Sequence, residues 1–400
     1  MKEKVVLAYS GGLDTSVAIR WIQEKYSADV VTVTIDVGQQ EDLAKIESNS
    51  KKIGAVRHYS IDAREEFVEE YVSRAVKANG LYEGSYPLST AIARPLMASK
   101  LVEVARREGA KAVAHGSTGK GNDQVRFDVS IKALAPDLKI IAPIREWNLS
   151  RDEEIKYAEK NGIPIPVNLK KPYSTDQNLW GRSIECGILE DPAQQPPEDI
   201  YEWTVSPEKA PAEPEYVSIG FEGGIPVAVN GAKMSLLEVV EKLNAKAGSH
   251  GIGRIDHMED RLVGIKSREC YECPAATVLL ESHKELEKTV LTRHELQFKQ
   301  QVEAQWIFLV YAGLWMDPLR EDLEQFIDKT QERVTGEVKL KLYKGHASVV
   351  ARSSPLSLYD ANLATYNVGT TFDQAWSTGF IEIWALQTKA ANVLKTRGTK

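Results

Sequence analysis

Over residues 1–165 the chain alternates short apolar runs with amphipathic stretches. Val5-Val6-Leu7-Ala8 is continuously apolar, the pattern of a strand buried on both faces. Residues 17–22 then space their apolar side chains for one helix face. Residues 29–35 are rich in β-branched types and predict a second strand. A helix over 41–53 stopped by Gly54, a strand over 56–61 and a helix over 64–78 capped by Asp62 follow. Further on, the spacing predicts a helix over 92–108 closed by Gly109 and short strands at 111–114 and 140–142. A last helix opens at the capping box Ser150-Arg151-Asp152-Glu153 and stops at Gly162 and Pro164. Strands alternating with helices make a parallel sheet covered on both faces. Ligands of such sheets bind beyond the strands' carboxyl ends. Residues 10–16, Ile35-Asp36 and residues 116–123 all follow strands, so they should gather at one edge.

The pattern then changes. Pro192, Pro196, Pro197, Pro207, Pro211 and Pro214 exclude a regular helix and predict an extended connector. Beyond it come strands at 216–221 and 227–229, the second ending at the turn signal Asn230-Gly231. A helix over 236–247 capped by Ser235, a strand at 261–265 and helices through much of 275–333 are expected next. Residues 338–342 alternate as a half-buried strand, and Lys344-Gly345-His346 turns the chain into 347–351. The tail, 380–393, sets Ile381, Trp384, Ala385 and Leu386 on a helical repeat. That face suits docking on its own domain or on a neighbouring subunit. The fold class is therefore α/β: a parallel-sheet nucleotide-binding domain over 1–165, an α+β domain over 166–375 and a C-terminal helix over 376–400.

Composition narrows the function classes. Of 400 residues, 42% are hydrophobic and 27% charged, with a formal net charge of -7. No dense Lys/Arg block offers a nucleic-acid surface. No apolar run nears the roughly 20 residues that span a bilayer. Met1-Lys2-Glu3-Lys4 leads straight into the first strand, without a signal-peptide pattern. Three cysteines do not make a disulfide framework. A cytoplasmic enzyme is expected. Cys270 and Cys273 form a C-x-x-C, but Cys186 stands alone and no second ligand pair is visible, so the two read as small scaffold residues and no metal site is assigned.

Two segments carry chemistry. In Ser10-Gly11-Gly12-Leu13-Asp14-Thr15-Ser16, glycines let the backbone approach a ligand closely. The helix start behind them presents open N–H groups and the positive end of its dipole, a site for phosphate. The string lacks the Gly-Lys-Ser/Thr of a Walker A loop and is not a G-x-G-x-x-G fingerprint. It suits gripping a pyrophosphate rather than transferring a terminal phosphoryl group. Residues 115–126 pack three glycines with Lys120 and Arg126 for positive charge, and with Asn122 and Asp123 as acceptors for an amino group.

The first string resembles the PP-loop of the N-type ATP pyrophosphatases, which adenylate a substrate and release pyrophosphate. Within these, the chain resembles the argininosuccinate synthase family. The matching pieces are residues 8–16, Tyr82-Glu-Gly with Tyr86 and Ala93-Arg-Pro95, 115–127, Ala142-Pro143 with Arg145-Glu-Trp147, Lys171-Pro-Tyr-Ser174 and Gly187-Ile-Leu-Glu-Asp-Pro192. Ala228-Val-Asn-Gly231, Gly251-Ile-Gly-Arg-Ile-Asp256, Lys266-Ser-Arg268 and Leu340-Lys-Leu-Tyr-Lys-Gly345 extend the match through the second region. The resemblance implies joining of L-citrulline to L-aspartate with ATP and its Mg²⁺, in a homotetramer whose C-terminal helix reaches other subunits. It implies ATP at Ala8, Tyr9, Ser10, Gly11, Gly12, Leu13, Asp14, Thr15, Ser16, Ile35 and Gly116, and aspartate at Thr118, Asn122 and Asp123. Citrulline would lie against Tyr86, Thr90, Asn122, Arg126, Ser174, Ser183, Glu259 and Tyr271. Asp14 and Asp123, the acids of the two loops, are the catalytic candidates. Ala91 stands where the family carries a serine, so the hydroxyl toward citrulline falls to Thr90, Ser89 or a water, or is absent. Another adenylating PP-loop ligase and a non-catalytic nucleotide sensor remain the alternatives.

Overall fold

A computed structural model describes residues 2–147, 151–164, 172–366 and 371–397. The expected strands form β1 (Lys4–Ala8), β2 (Asp29–Asp36), β3 (Arg57–Asp62), β4 (Ala112–Ala114) and β5 (Lys139–Ile141). They make one parallel sheet in the order β3-β2-β1-β4-β5. Side chains alternate across it as strand geometry requires. Val6, between Val31 and Val113, joins the core on the side of the Ser89–Glu108 helix. Leu7 points the other way, onto Ile19 and Ile22 of the Leu13–Tyr26 helix. Strand order reverses between β1 and β4. That is the switch point where open α/β sheets bind ligands.

The stretch expected as one helix over 64–78 is an α-turn (Arg64–Glu66), a π-helical segment (Phe67–Val72) and a short α-helix (Ser73–Lys77). The wider π turn lets Phe67, Val68, Tyr71 and Val72 all reach the core. Asp62 does accept from the Arg64 N–H, at 3.1 Å. The Ser150 capping box lies outside the described residues, as does the 165/166 boundary; the helix behind the box is found at Arg151–Lys160.

Two antiparallel sheets follow. One runs β10-β9-β8-β13-β14, from β8 (Glu215–Glu222), β9 (Ile225–Val229), β10 (Ala232–Lys233), β13 (Gly336–Tyr343) and β14 (His346–Ser353). Asn230 and Gly231 take φ of 52° and 77°, the conformation of a tight hairpin turn. Ser235 caps the Leu236–Ser249 helix in a full capping box with Glu238. The other sheet, β11-β12-β7-β6, joins β6 (Ser174–Asn178), β7 (Gly181–Glu185), β11 (Arg254–Asp260) and β12 (Lys266–Glu272). Residues 261–265, expected as a strand, are instead the turn between β11 and β12. The Arg261 N–H closes it on the Ile265 carbonyl at 2.9 Å, and Gly264 takes φ +80°. Leu262, Val263 and Ile265 imitate a strand run while the true strands lie on either side.

Between β7 and β8 come two 3₁₀ turns, Gly187–Glu190 and, within the proline-rich segment, Glu198–Ile200. That segment is pinned by the fully buried Glu272, whose Oε1 accepts from the N–H groups of Trp203 and Thr204. Val31 and Val33 of the parallel sheet share one apolar core with Val217, Ile219 and Leu340, and Met1–Leu356 forms one compact unit. Ser357–Lys400 forms a second. There the helix expected over 380–393 is two, Trp376–Trp384 and Leu386–Arg397, with Ala385 between them. None of their residues is buried, and Trp384 is 73% exposed.

Candidate active site

At the carboxyl end of β1 the chain turns through Ser10, Gly11 and Gly12 into the Leu13–Tyr26 helix. Gly11 takes φ +77°, which L side chains rarely adopt. Gly12 caps the helix without a side-chain bond, so the first turn's N–H groups face outward. The loop is braced by its hydroxyls: Ser10 Oγ lies 3.1 Å from Thr15 Oγ1, and Tyr9 OH lies 3.1 Å from Ser16 Oγ. Asp14 sits in the helix's first turn. The loop after β4 comes alongside. A Cβ on Gly116 would stand 2.8 Å from the Thr15 methyl. Ile35 is buried at the end of β2, the neighbouring strand. The gathering expected at one sheet edge is therefore present for the two glycine loops.

The second loop is anchored at both ends. His115 Nε2 meets Asp128 at 2.7 Å, Arg145 bonds the other oxygen of Asp128 at 2.9 Å, and Gln124 donates to the Gly119 carbonyl at 2.6 Å. Thr118 and Lys120 are exposed at its tip. Asn122 ends the loop buried, with both amide hydrogens engaged and one acceptor site of its oxygen filled. It donates to Glu259 (3.2 Å) and to Tyr311 OH (2.8 Å), and accepts from the Leu262 N–H (2.9 Å).

Asp123 opens the Asp123–Leu134 helix between two guanidinium groups. Arg94 Nε lies 2.8 Å away and Arg126 Nη1 2.9 Å. Burial alone would raise this carboxyl; the two arginines hold it below the usual range. Arg126 is 2% exposed. Its Nε donates to the Tyr311 carbonyl (3.1 Å) and its Nη1 to Thr90 Oγ1 (3.1 Å), while its buried Nη2 has no partner among the described residues. A charged donor left bare in the interior costs free energy until an anion arrives.

Around it stand aromatic walls. Tyr86 stacks on Tyr271 at 4.6 Å between ring centroids, and Tyr82 on Tyr311 at 3.4 Å. Tyr86 OH meets Thr90 Oγ1 at 2.8 Å and Ser89 Oγ at 3.5 Å, so both hydroxyls beside the buried Ala91 reach this group. Glu259 lies opposite, 2% exposed, with one oxygen receiving Tyr311 OH (2.6 Å) and the other 2.5 Å from the Tyr271 hydroxyl oxygen. Burial raises its pKa, and the charge of Glu269 adds to that. Ser183 pairs with Tyr271 across β7 and β12. Ser174 stands apart, exposed and opposite Glu185. Cys270 and Cys273 are buried, and burial pushes the Cys270 thiol up to about 11, far from a reactive thiolate.

Several residues of this cluster were not singled out from the sequence. Arg94 pairs with both Asp123 and Asp176. Tyr311 contacts Arg126, Asn122 and Glu259 from the end of the Arg293–Tyr311 helix. Glu269 accepts from Tyr271 OH at 2.8 Å. A buried arginine inside the apolar Ser89–Glu108 helix was the one visible signal.

Residues 4–164 match the family described as the arginosuccinate synthase N-terminal HUP domain, and residues 173–391 its C-terminal domain. The chain is 59% identical over 388 residues to the argininosuccinate synthase of Pyrococcus furiosus, covering 97% of this chain and 94% of that one. The Dictyoglomus turgidum enzyme of that name is 59% identical over 386 residues, 96% of either chain. The Pyrobaculum aerophilum one is 58% identical over 389 residues, 97% of this chain and 98% of its own. With both halves matched and each relative aligned over almost its whole length, the chain belongs to the argininosuccinate synthase family.

Proposed function

We infer that the chain is an ATP-dependent ligase that joins L-citrulline to L-aspartate, giving argininosuccinate, AMP and pyrophosphate in arginine biosynthesis. One observation carries the reading: Arg126, with its bare Nη2, and the carboxyl of Glu259 both lie against Tyr311, the first bonding its carbonyl and the second its hydroxyl. An α-amino acid presents a carboxylate and an ammonium on one carbon. Arg126 suits the first and Glu259 the second. The distal ureido group of citrulline then lies toward the phosphates. Its oxygen attacks the α-phosphorus of ATP, pyrophosphate leaves, and the ureido oxygen becomes part of a good leaving group. The aspartate amine adds to the ureido carbon, AMP departs with that oxygen, and the amine gives up a proton. The protein's share is alignment and charge stabilisation.

In this reading residues 8–16, with Ile35 and Gly116, hold ATP, and the open amides after Gly12 take the departing pyrophosphate. Thr118, Asn122 and Asp123 receive aspartate, with Asp123 facing its ammonium. Mg²⁺ would enter on the nucleotide, whose phosphate oxygens and waters supply most of its ligands. No group of three or more His, Cys, Asp or Glu side chains forms a cage among the described residues; Asp14 is the carboxylate at the loop. Bound there, the ion would offset phosphate charge. A cytoplasmic homotetramer completes the proposal, supported by the exposed apolar side chains of the last two helices. Among the described residues no helix is long and apolar enough to cross a membrane.

Pyrophosphate release from ATP, with citrulline and aspartate omitted in turn, tests the reaction. Release that ignores citrulline would sink the reading; no release under any condition would favour a nucleotide sensor. Gly116→Ala tests the nucleotide half. The added Cβ would meet Thr15 at 2.8 Å, and overpacking of this kind costs about 1–3 kcal/mol. ATP binding measured by calorimetry is expected to weaken about tenfold. Unchanged affinity would remove this loop from the nucleotide site.

A further inference from the structure

Tyr271 has one hydroxyl hydrogen, yet its oxygen lies 2.5 Å from Glu259 Oε2 and 2.8 Å from Glu269 Oε2. One hydrogen cannot serve two carboxylates, so the second contact needs another proton. Glu269 is paired on its other oxygen with Arg261, at 2.9 Å. That leaves Glu259, away from this guanidinium, as the seat of the extra proton. Arg261 also pairs with Glu185 (2.5 Å) and donates to the Lys120 carbonyl in the glycine loop (3.3 Å). The β11–β12 turn thus ties the substrate loop to the carboxylate pair.

We propose that Glu269, held by Arg261, is a positioning residue for citrulline: through the shared hydroxyl of Tyr271 it sets where Glu259 holds its carboxylate and whether that carboxylate is ionised. The inference rests on the function proposed above and deepens it. Glu259 must be an anion to receive the substrate's ammonium. The ammonium brings its own hydrogens, so its arrival makes the proton on Glu259 redundant and expels it. The groups facing Glu259 are Glu269 and Tyr271 from β12, Tyr311 from the Arg293–Tyr311 helix, Asn122 and Arg126 around the start of the Asp123–Leu134 helix, and Tyr82 and Tyr86 from the loop before the Ser89–Glu108 helix. Burial and the charge of Glu269 oppose the anion; the hydroxyls of Tyr271 and Tyr311 and the charge of Arg126 favour it.

The test is kcat/KM for citrulline against pH, at saturating ATP and aspartate, in two opposed variants. Glu269→Gln keeps an acceptor for Tyr271 and removes the opposing charge, so the acid limb should move down by about one pH unit. Arg261→Met leaves Glu269 and Glu185 uncompensated, so the limb should move up. A purely structural role would not send the two in opposite directions. Limbs that stay in place, or move together, in folded variants overturn the proposal. Should Arg261→Met fail to fold, calorimetry of citrulline binding in buffers of different ionisation enthalpy decides. The unaltered protein should release a proton that Glu269→Gln does not, and equal release overturns the proposal. Failure of the parent reading looks different: pyrophosphate release by the unaltered protein would then be indifferent to citrulline.

Discussion

Arg126→Ala is expected to raise the citrulline concentration for half-maximal rate about a hundredfold or more. Removing one partner of a buried charge pair costs about 3 kcal/mol or more, and each 1.4 kcal/mol is tenfold. Three of this guanidinium's donor bonds are made inside the protein, to the Tyr311 carbonyl, Thr90 and Asp123. The remaining nitrogen, Nη2, is the buried one without a partner, and the proposed site asks it to take a carboxylate. Arg126→Lys should not rescue the variant, since an ammonium lacks the planar fork that spans Thr90, Asp123 and a ligand together. The KM for ATP should change far less. Initial rates with each substrate varied in turn provide the check, and a citrulline KM within a few-fold of the original would remove Arg126 from the binding role. Gly313 adds a constraint on the same residue. A Cβ there would stand 2.8 Å from the Arg126 Cα, so this helix is fitted closely against the end of the Arg293–Tyr311 helix.

The parallel sheet was legible because its strands are buried on both faces. β1 and β4 read KVVLA and AVA, and a continuous apolar run marks such strands; β2, DVVTVTID, showed itself by its β-branched residues instead. The loop after β1 was legible for a different reason: few strings place glycines and hydroxyls between strand and helix. The sheet holding the proposed amino-acid site was nearly invisible. β6 reads STDQN and β11 reads RIDHMED, with no apolar alternation to find. These strands carry Asp176 and Glu259 toward the cluster, so their inward face is polar where an ordinary core face would be apolar. Sites are where local pattern and global fold disagree. The same conflict explains the misread turn at 261–265: its apolar residues carry the β signal, while Arg261 and the Leu262 N–H hold the carboxylates and Asn122. The π segment at Phe67–Val72 had no signal at all, since an amphipathic stretch with periodicity near 3.6 does not announce one widened turn. Tyr311 could not have been foreseen. It lies 185 residues from Arg126 in sequence, and only the fold brings them together.

Asp123→Asn should damage aspartate use far more than ATP binding. In the present geometry the Asp123 carboxylate is the anion between Arg94 and Arg126, and Asp176 supplies the only other negative charge paired with Arg94 among the described residues. A carboxylate has about four acceptor sites and these arginines do not fill them, so one remains for the ammonium of the incoming amino acid. Asparagine preserves the shape but offers a neutral oxygen, and its NH₂ would face an arginine or the amine, both donors. The aspartate KM is expected to rise about a hundredfold, the cost of unbalancing a half-buried charge cluster around two buried arginines. Citrulline should suffer less, because Arg126 keeps its bonds to the Tyr311 carbonyl and Thr90. The first half-reaction separates the cases. With ATP and citrulline alone, the variant should still release about one equivalent of pyrophosphate per site in a rapid burst, then stall when aspartate is added at levels that saturate the original enzyme. Loss of the burst in parallel with loss of turnover would show that Asp123 serves adenylation itself rather than the amine. Nucleotide affinity measured separately by calorimetry should stay within about tenfold of the original, since the loop from Ser10 to Ser16 is braced by its own hydroxyls while Asp123 is held by Arg94 and Arg126.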